Sequence, residues 1–172
     1  MHTMLRSLLV ATLGVGLFSH AAAFAQSAGC AVSRDASARQ VLTCPGGVKV
    51  TAEAGASFRL ADRNHDGSPD SLSLRSKAVL VDVDSSQHAG GFQVVTPQAI
   101  AAVRGTQWAV DVASGKTSVL VVRGSVGVRR PTGKPVVLSP GEGVDVGSGT
   151  EPLVVRRWPA PRAAALLARL GQ

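Results

Sequence analysis

The chain has 172 residues, a formal net charge of +7 at neutral pH, two Cys, four His and no Tyr. That length gives one domain with a real core and is short for two. Nothing in the sequence reads as H-E-x-x-H, G-x-S-x-G or a P-loop, so zinc hydrolysis, serine-nucleophile chemistry and nucleotide hydrolysis lack their motifs and no enzymatic activity is expected.

The first element reads as a leader. Arg6 supplies a positive start, residues 8–18 (LLVATLGVGLF) form a short uncharged apolar run, and Ala23 and Ala25 stand at −3 and −1 of a cleavage site before Gln26. This pattern predicts a secretory signal peptide over residues 1–25. The run is shorter than the roughly 20 residues a membrane span requires. The mature chain, residues 26–172, is then expected in the bacterial periplasm without a transmembrane segment. Cys30 and Cys44 both lie in that part, and in an oxidising compartment they are most simply paired. Their spacing is not the C-x-x-C of a redox pair. Residues 26–47 are therefore expected to form a disulfide-tied N-terminal segment.

Short alternating or β-branched runs follow at residues 48–51, 57–60, 78–83, 92–95, 107–112, 117–122, 125–128, 135–138 and 143–146. Between them stand turn formers such as Gly46-Gly47, Ser114-Gly115-Lys116 and Ser139-Pro140-Gly141. Strands recurring at this spacing predict a mostly β domain over residues 48–150, a sandwich, barrel or β-solenoid. Trp108 is expected in its core.

Residues 62–70 carry the sharpest local motif. Asp62, Asn64, Asp66, Ser68 (through its carbonyl) and Asp70 occupy positions 1, 3, 5, 7 and 9 of a calcium loop, with Gly67 at position 6. Position 12 is Ser73, so the bidentate Glu of an EF-hand is missing. Two readings stay open: a weak Ca²⁺ site, with affinity of about 10⁻⁴–10⁻³ M, or a hairpin turn held by Asx hydrogen bonds. His65 and His88 sit beside turn residues and belong to no metal spacing.

The tail, residues 151–172, changes character. Residues 162–170 (RAAALLARL) are strong helix formers after Trp158-Pro159-Ala160-Pro161, and Gly171 ends the run. Leu166, Leu167 and Leu170 share one face. So short a helix is marginal alone and must dock, with Trp158, on the β-domain or on a partner. Arg156, Arg157, Trp158, Arg162 and Arg169 form a candidate interface. Lys/Arg and Asp/Glu balance between residues 26 and 91, while residues 92–172 hold ten Lys/Arg against four Asp/Glu. In that compartment the expected partner is an envelope protein or an anionic envelope polymer, not nucleic acid.

The stretch from residue 92 to 146 resembles the FecR domain. The resemblance rests on Thr96-Pro97, on Arg104-Gly105-Thr106 before a strand, on Gly124-Ser125-Val126, and on the closing Pro140-Gly141-Glu142-Gly143 turn. It implies a β-solenoid-like or β-sandwich FecR-type domain with, here, a short C-terminal α-helix. In the best-known members the domain is the periplasmic part of a membrane-anchored regulator that hears an outer-membrane receptor and controls a sigma factor. This chain departs from that plan, with a leader where those proteins have a cytoplasmic sigma-binding segment and a membrane helix. What the resemblance implies is thus a non-catalytic periplasmic interaction module, or alternatively a structural calcium-binding envelope accessory. Arg104 is either a partner contact or a fork pairing with carboxylate or carbonyl oxygens at a turn.

Overall fold

The computed structural model describes residues 29–88 and 90–172. The leader expected over residues 1–25 lies outside the described residues. Among the described residues the chain is mostly β with one short C-terminal α-helix, as the patterning predicted. Its strands run in chain order β1 (Ala31–Arg34), β2 (Gln40–Cys44), β3 (Val48–Ala52), β4 (Ser57–Ala61), β5 (Ser71–Val83), β6 (Phe92–Val95), β7 (Ile100–Val103), β8 (Gln107–Ala113), β9 (Lys116–Arg123), β10 (Val126–Arg129), β11 (Val136–Leu138), β12 (Glu142–Val146) and β13 (Arg156–Arg157), followed by α1 (Ala160–Arg169).

All thirteen strands belong to one sheet, which curls so that two halves face each other as an open half-barrel. Sheet I has the order β1-β2-β3-β5-β8-β9-β12-β13, and sheet II the order β4-β5-β6-β7-β10-β11. Strand β5 is long enough to serve both. Residues 71–76 pair with β4 and β6, and residues 77–83 pair with β3 and β8. The transfer happens at Lys77, whose φ of 64° is the left-handed conformation that bends an extended strand. Its ammonium secures the bend by donating to the Ala54 carbonyl at 2.5 Å. All neighbouring pairs are antiparallel except β5 with β6.

Alternation places one face of each half inward. Val79, Val81 and Val83 of β5 and Trp108 and Val110 of β8 meet Phe92, Val94, Val126, Val128 and Leu138 of sheet II in one buried core. Trp108 is 0% exposed and stands edge-on to Phe92 with ring centroids 6.2 Å apart. Small branched side chains let the two halves approach closely, and each fully buried one stabilises by roughly 1.5–3 kcal/mol. The Cys30–Cys44 disulfide ties the chain before β1 to the end of β2, across the Ala31–Thr43 pair.

The opposite face of sheet I holds the helix. Ala78, Leu80, Ala109 and Leu120 form a patch on which Trp158, Leu166 and Leu170 pack. Gly143 continues the row because any side chain there would run into the Trp158 indole and lie 2.6 Å from the Val119 carbonyl. The helix ends as expected at Gly171, whose N–H bonds the Ala168 carbonyl while the Gln172 N–H bonds that of Leu167. Among the described residues no helix is long and apolar enough to cross a membrane.

Candidate functional site

The Arg-Gly-Thr turn joins β7 to β8. Gly105 has a φ of +67°, and a Cβ there would press on the Ser85 side chain, 2.7 Å from its Oγ. Gly124 has a φ of +81°, and its Cβ would lie 2.7 Å from Thr106 Oγ1 and 2.9 Å from the Gly105 carbonyl. Only glycine accepts both the left-handed backbone and that proximity. Between them Thr106, fully buried, donates to the Ser125 carbonyl (3.0 Å), and its own carbonyl accepts the Val83 N–H (3.0 Å). Thr96 is likewise buried: its Oγ1 accepts the Ala99 N–H (2.9 Å) and lies 2.7 Å from Thr117 Oγ1, which donates to Gln98 (2.9 Å). Pro97 is exposed in the same turn. Gly141 N–H donates to the Val121 carbonyl at the entry to β12. These motif residues therefore hold turns and strands in place.

Arg104 behaves differently. It is exposed, and its guanidinium has no hydrogen-bond or ion-pair partner among the described residues. The paired fork of the structural reading is not formed. Within the motif, Gly105 and Thr106 make the contacts that fix the turn, and Arg104 is left facing solvent.

The 62–70 segment connects β4 to β5 and is held by its own side chains. Asp62 accepts the Asp66 and Gly67 N–H groups (3.2 and 2.8 Å), and Asp66 accepts the Ser68 N–H (2.8 Å) and the Asn64 amide (2.8 Å). Asp70 takes the Arg63 N–H and Nε, both at 3.1 Å. Partial burial raises the Asp70 carboxyl's pKa, but the Arg63 and Ser71 hydrogen bonds outweigh it and hold it below the ordinary carboxylate value. A cation seated on Asp62, Asn64, Asp66, Ser68 and Asp70 would compete with these bonds. Among the described residues, no three His, Cys, Asp or Glu side chains are arranged to hold a metal ion. The segment borders a cleft of ≈ 510 Å³ lined by Arg63, Ser68, His88, Phe92, Gln93 and Val103. His88 is buried there, with Nε2 2.9 Å from the Gly91 carbonyl.

Of the basic tail cluster, three members work inside the molecule. Trp158 is buried, and the Arg162 guanidinium stacks 3.6 Å over its ring while donating to Asp145 (2.6 Å). Arg169 bridges Asp111 (2.8 and 3.0 Å) and Glu53 (3.2 and 2.6 Å). These contacts raise the Arg169 pKa, and the Arg169 hydrogen bond is the main cause that lowers that of Glu53. The two arginines are seven residues apart, about 10 Å along a helix. Their carboxylates on β12 and β8 are two strands apart, again about 10 Å. That match sets the helix across the strands. Arg156 and Arg157, exposed on the two-residue β13, are the members of the cluster whose side chains have no hydrogen-bond or ion-pair partner among the described residues.

A model of the FecR protein family matches residues 31–127. The chain belongs to the FecR family. The match starts with β1 and ends within β10, so it includes strands of both halves and the Arg-Gly-Thr turn. In this FecR chain β11 to β13 and α1 lie beyond the matched residues. Two crystal structures of a Parabacteroides distasonis ATCC 8503 protein, provisionally described as an anti-sigma factor, share the fold. Each is 22% identical with a TM-score of 0.60 over 78% of this chain. The alignments take in 63% and 62% of those chains, so the FecR chain here spans less than two thirds of their length. No curated protein matches the sequence.

One surface of the FecR fold was not singled out by any local motif. On the outer face of sheet II, register aligns Arg59, Ser73, Val95, Ile100 and Arg129 in one cross-strand row. Ala61, Ser71, Gln93, Ala102, Gly127 and Val137 form the next. Their alternates, Leu60, Leu72, Val94, Ala101 and Val128, point into the core. The available signal was that Val95 and Ile100 are apolar at positions where a solvated strand face is polar.

Proposed function

We propose that this chain serves in the bacterial envelope as a non-catalytic FecR-type binding module that takes part in signalling by engaging another envelope protein. The observation that carries the reading is the FecR family match over residues 31–127. Supporting it, the family's motif residues are spent on turns and buried hydrogen bonds, which leaves surfaces, not a reaction centre, as the functional parts. The signal-peptide pattern argues for export, and the Cys30–Cys44 disulfide is suited to an oxidising compartment. The provisional anti-sigma description of the Parabacteroides protein favours a regulatory over a purely structural role.

The test is affinity capture from envelope extract on immobilised residues 26–172, with and without chelator. One specific retained protein is the expected result. Retention of nothing, or only of anionic polymer, contradicts the reading. Retention lost only in chelator assigns the 62–70 loop a calcium-ordered role; retention unchanged by chelator gives the loop no calcium-dependent part in binding.

A further inference from the structure

We infer that the outer face of sheet II is the docking surface of this module and that it takes an acidic amphipathic helix of the partner protein, laid across the strands. The inference rests on the binding-module reading above and adds where the partner sits and what its contact segment is made of.

The two outer faces of the molecule differ. That of sheet I is covered by α1, whose apolar residues lie on small side chains and whose two arginines reach carboxylates on the strands. On sheet II no helix lies among the described residues. Its middle carries Val95 and Ile100 side by side, both half-buried, with Val137, 66% exposed, at its edge. An apolar strip of this kind, rimmed by charge, is what a docking surface looks like before its partner arrives.

The rim sets the partner's chemistry. Arg59 closes one end of the row and has no side-chain partner among the described residues. Arg129 closes the other and, among the described residues, donates only to the Arg130 and Pro131 carbonyls and meets no carboxylate. The carboxylates of the 62–70 segment are already engaged by backbone N–H groups and by Arg63. The charge pattern is thus the inverse of sheet I: there the helix brings arginines to carboxylates on the sheet, and here the sheet offers arginines to a helix bringing carboxylates. Arg59 and Arg129 stand four strand spacings apart, about 19 Å. A helix crossing that distance needs about 13 residues between its acidic ends.

The probe is a synthetic 18-residue amphipathic helix with a Leu/Ala face and Glu residues flanking it 13 positions apart, beside a copy carrying Lys for Glu. Methyl NMR titration of the disulfide-intact mature protein should show saturable shifts at Val95, Ile100 and Val137 with the Glu peptide and none with the Lys peptide. Arg59→Glu/Arg129→Glu should weaken binding at least tenfold, and Ile100→Glu should abolish it. Arg156→Glu/Arg157→Glu, on β13, should bind as wild type. Unchanged thermal melting of each variant excludes misfolding as the cause. Shifts elsewhere, equal binding of the Lys peptide, or full affinity in Arg59→Glu/Arg129→Glu would overturn the inference. So would wild-type binding to phosphatidylglycerol vesicles through these residues without binding to the Glu peptide, which assigns the face to a membrane. If envelope capture succeeds and Arg59→Glu/Arg129→Glu captures the same protein equally, the docking face falls and the binding module stands.

Discussion

At the scale of single residues, the Arg-Gly-Thr turn separates two jobs that a sequence motif runs together. Gly105 and Thr106 build the turn, whereas the Arg104 side chain has no partner among the described residues. Gly105→Ala must carry a Cβ at positive φ against Ser85, and should cost about 1–3 kcal/mol in urea unfolding. Arg104→Ala should stay within about 0.5 kcal/mol of wild type in the same measurement, as surface changes away from such features do. A large loss in Arg104→Ala would mean the guanidinium has a structural partner after all. Glycine's role at residues 105 and 124 was legible as turn chemistry, but the meeting of Gly124 with Thr106 was not, because eighteen residues and two strands separate them.

Among the elements, β5 and α1 show how tertiary contacts override local pattern. The sequence predicts a strand at 78–83 and leaves its extension back to Ser71 unseen, because a lysine in the left-handed region has no sequence signature. Lys77→Gly removes that conformational cost and should be neutral within about 1 kcal/mol, while Lys77→Val should lose about 1–3 kcal/mol, both read from chemical unfolding. The helix was legible from its Ala/Leu run and its Gly stop. Its anchoring was not, since Arg169 and Glu53 lie 116 residues apart. Glu53 is held below its ordinary value of 4.5 chiefly by the Arg169 hydrogen bond. A carboxylate with a depressed folded-state pKa stabilises above its unfolded value and loses that contribution as pH falls through the folded one. Hydrogen-exchange protection of α1 should therefore hold steady down to about pH 4.5 and fall below it, ahead of the β-core. Arg169→Ala should shrink that acid step to the part carried by the Arg162–Asp145 pair and weaken α1 protection by about 1 kcal/mol at neutral pH.

For the whole molecule, the alternation of valines established that each half has an inside and an outside, and the turn spacing gave the mostly β class. Which outside face is covered could not be read, because coverage depends on where α1 lands, and that is decided by carboxylates contributed from β3's end, β8 and β12. The disulfide closes a sequence separation of 14 and should contribute about 3 kcal/mol through the unfolded chain. Its reduction should lower the melting temperature without changing the strand content seen by circular dichroism at 25 °C. In the proposed arrangement the curled sheet is a scaffold with one face closed by α1 and the other open to a partner. Hydrogen–deuterium exchange of the mature protein, free and bound to the protein it captures from the envelope, tests this most directly. Binding should slow exchange in β6, β7 and β10 and leave α1 unchanged. Protection confined to α1 or β13, with sheet II unaffected, would contradict it.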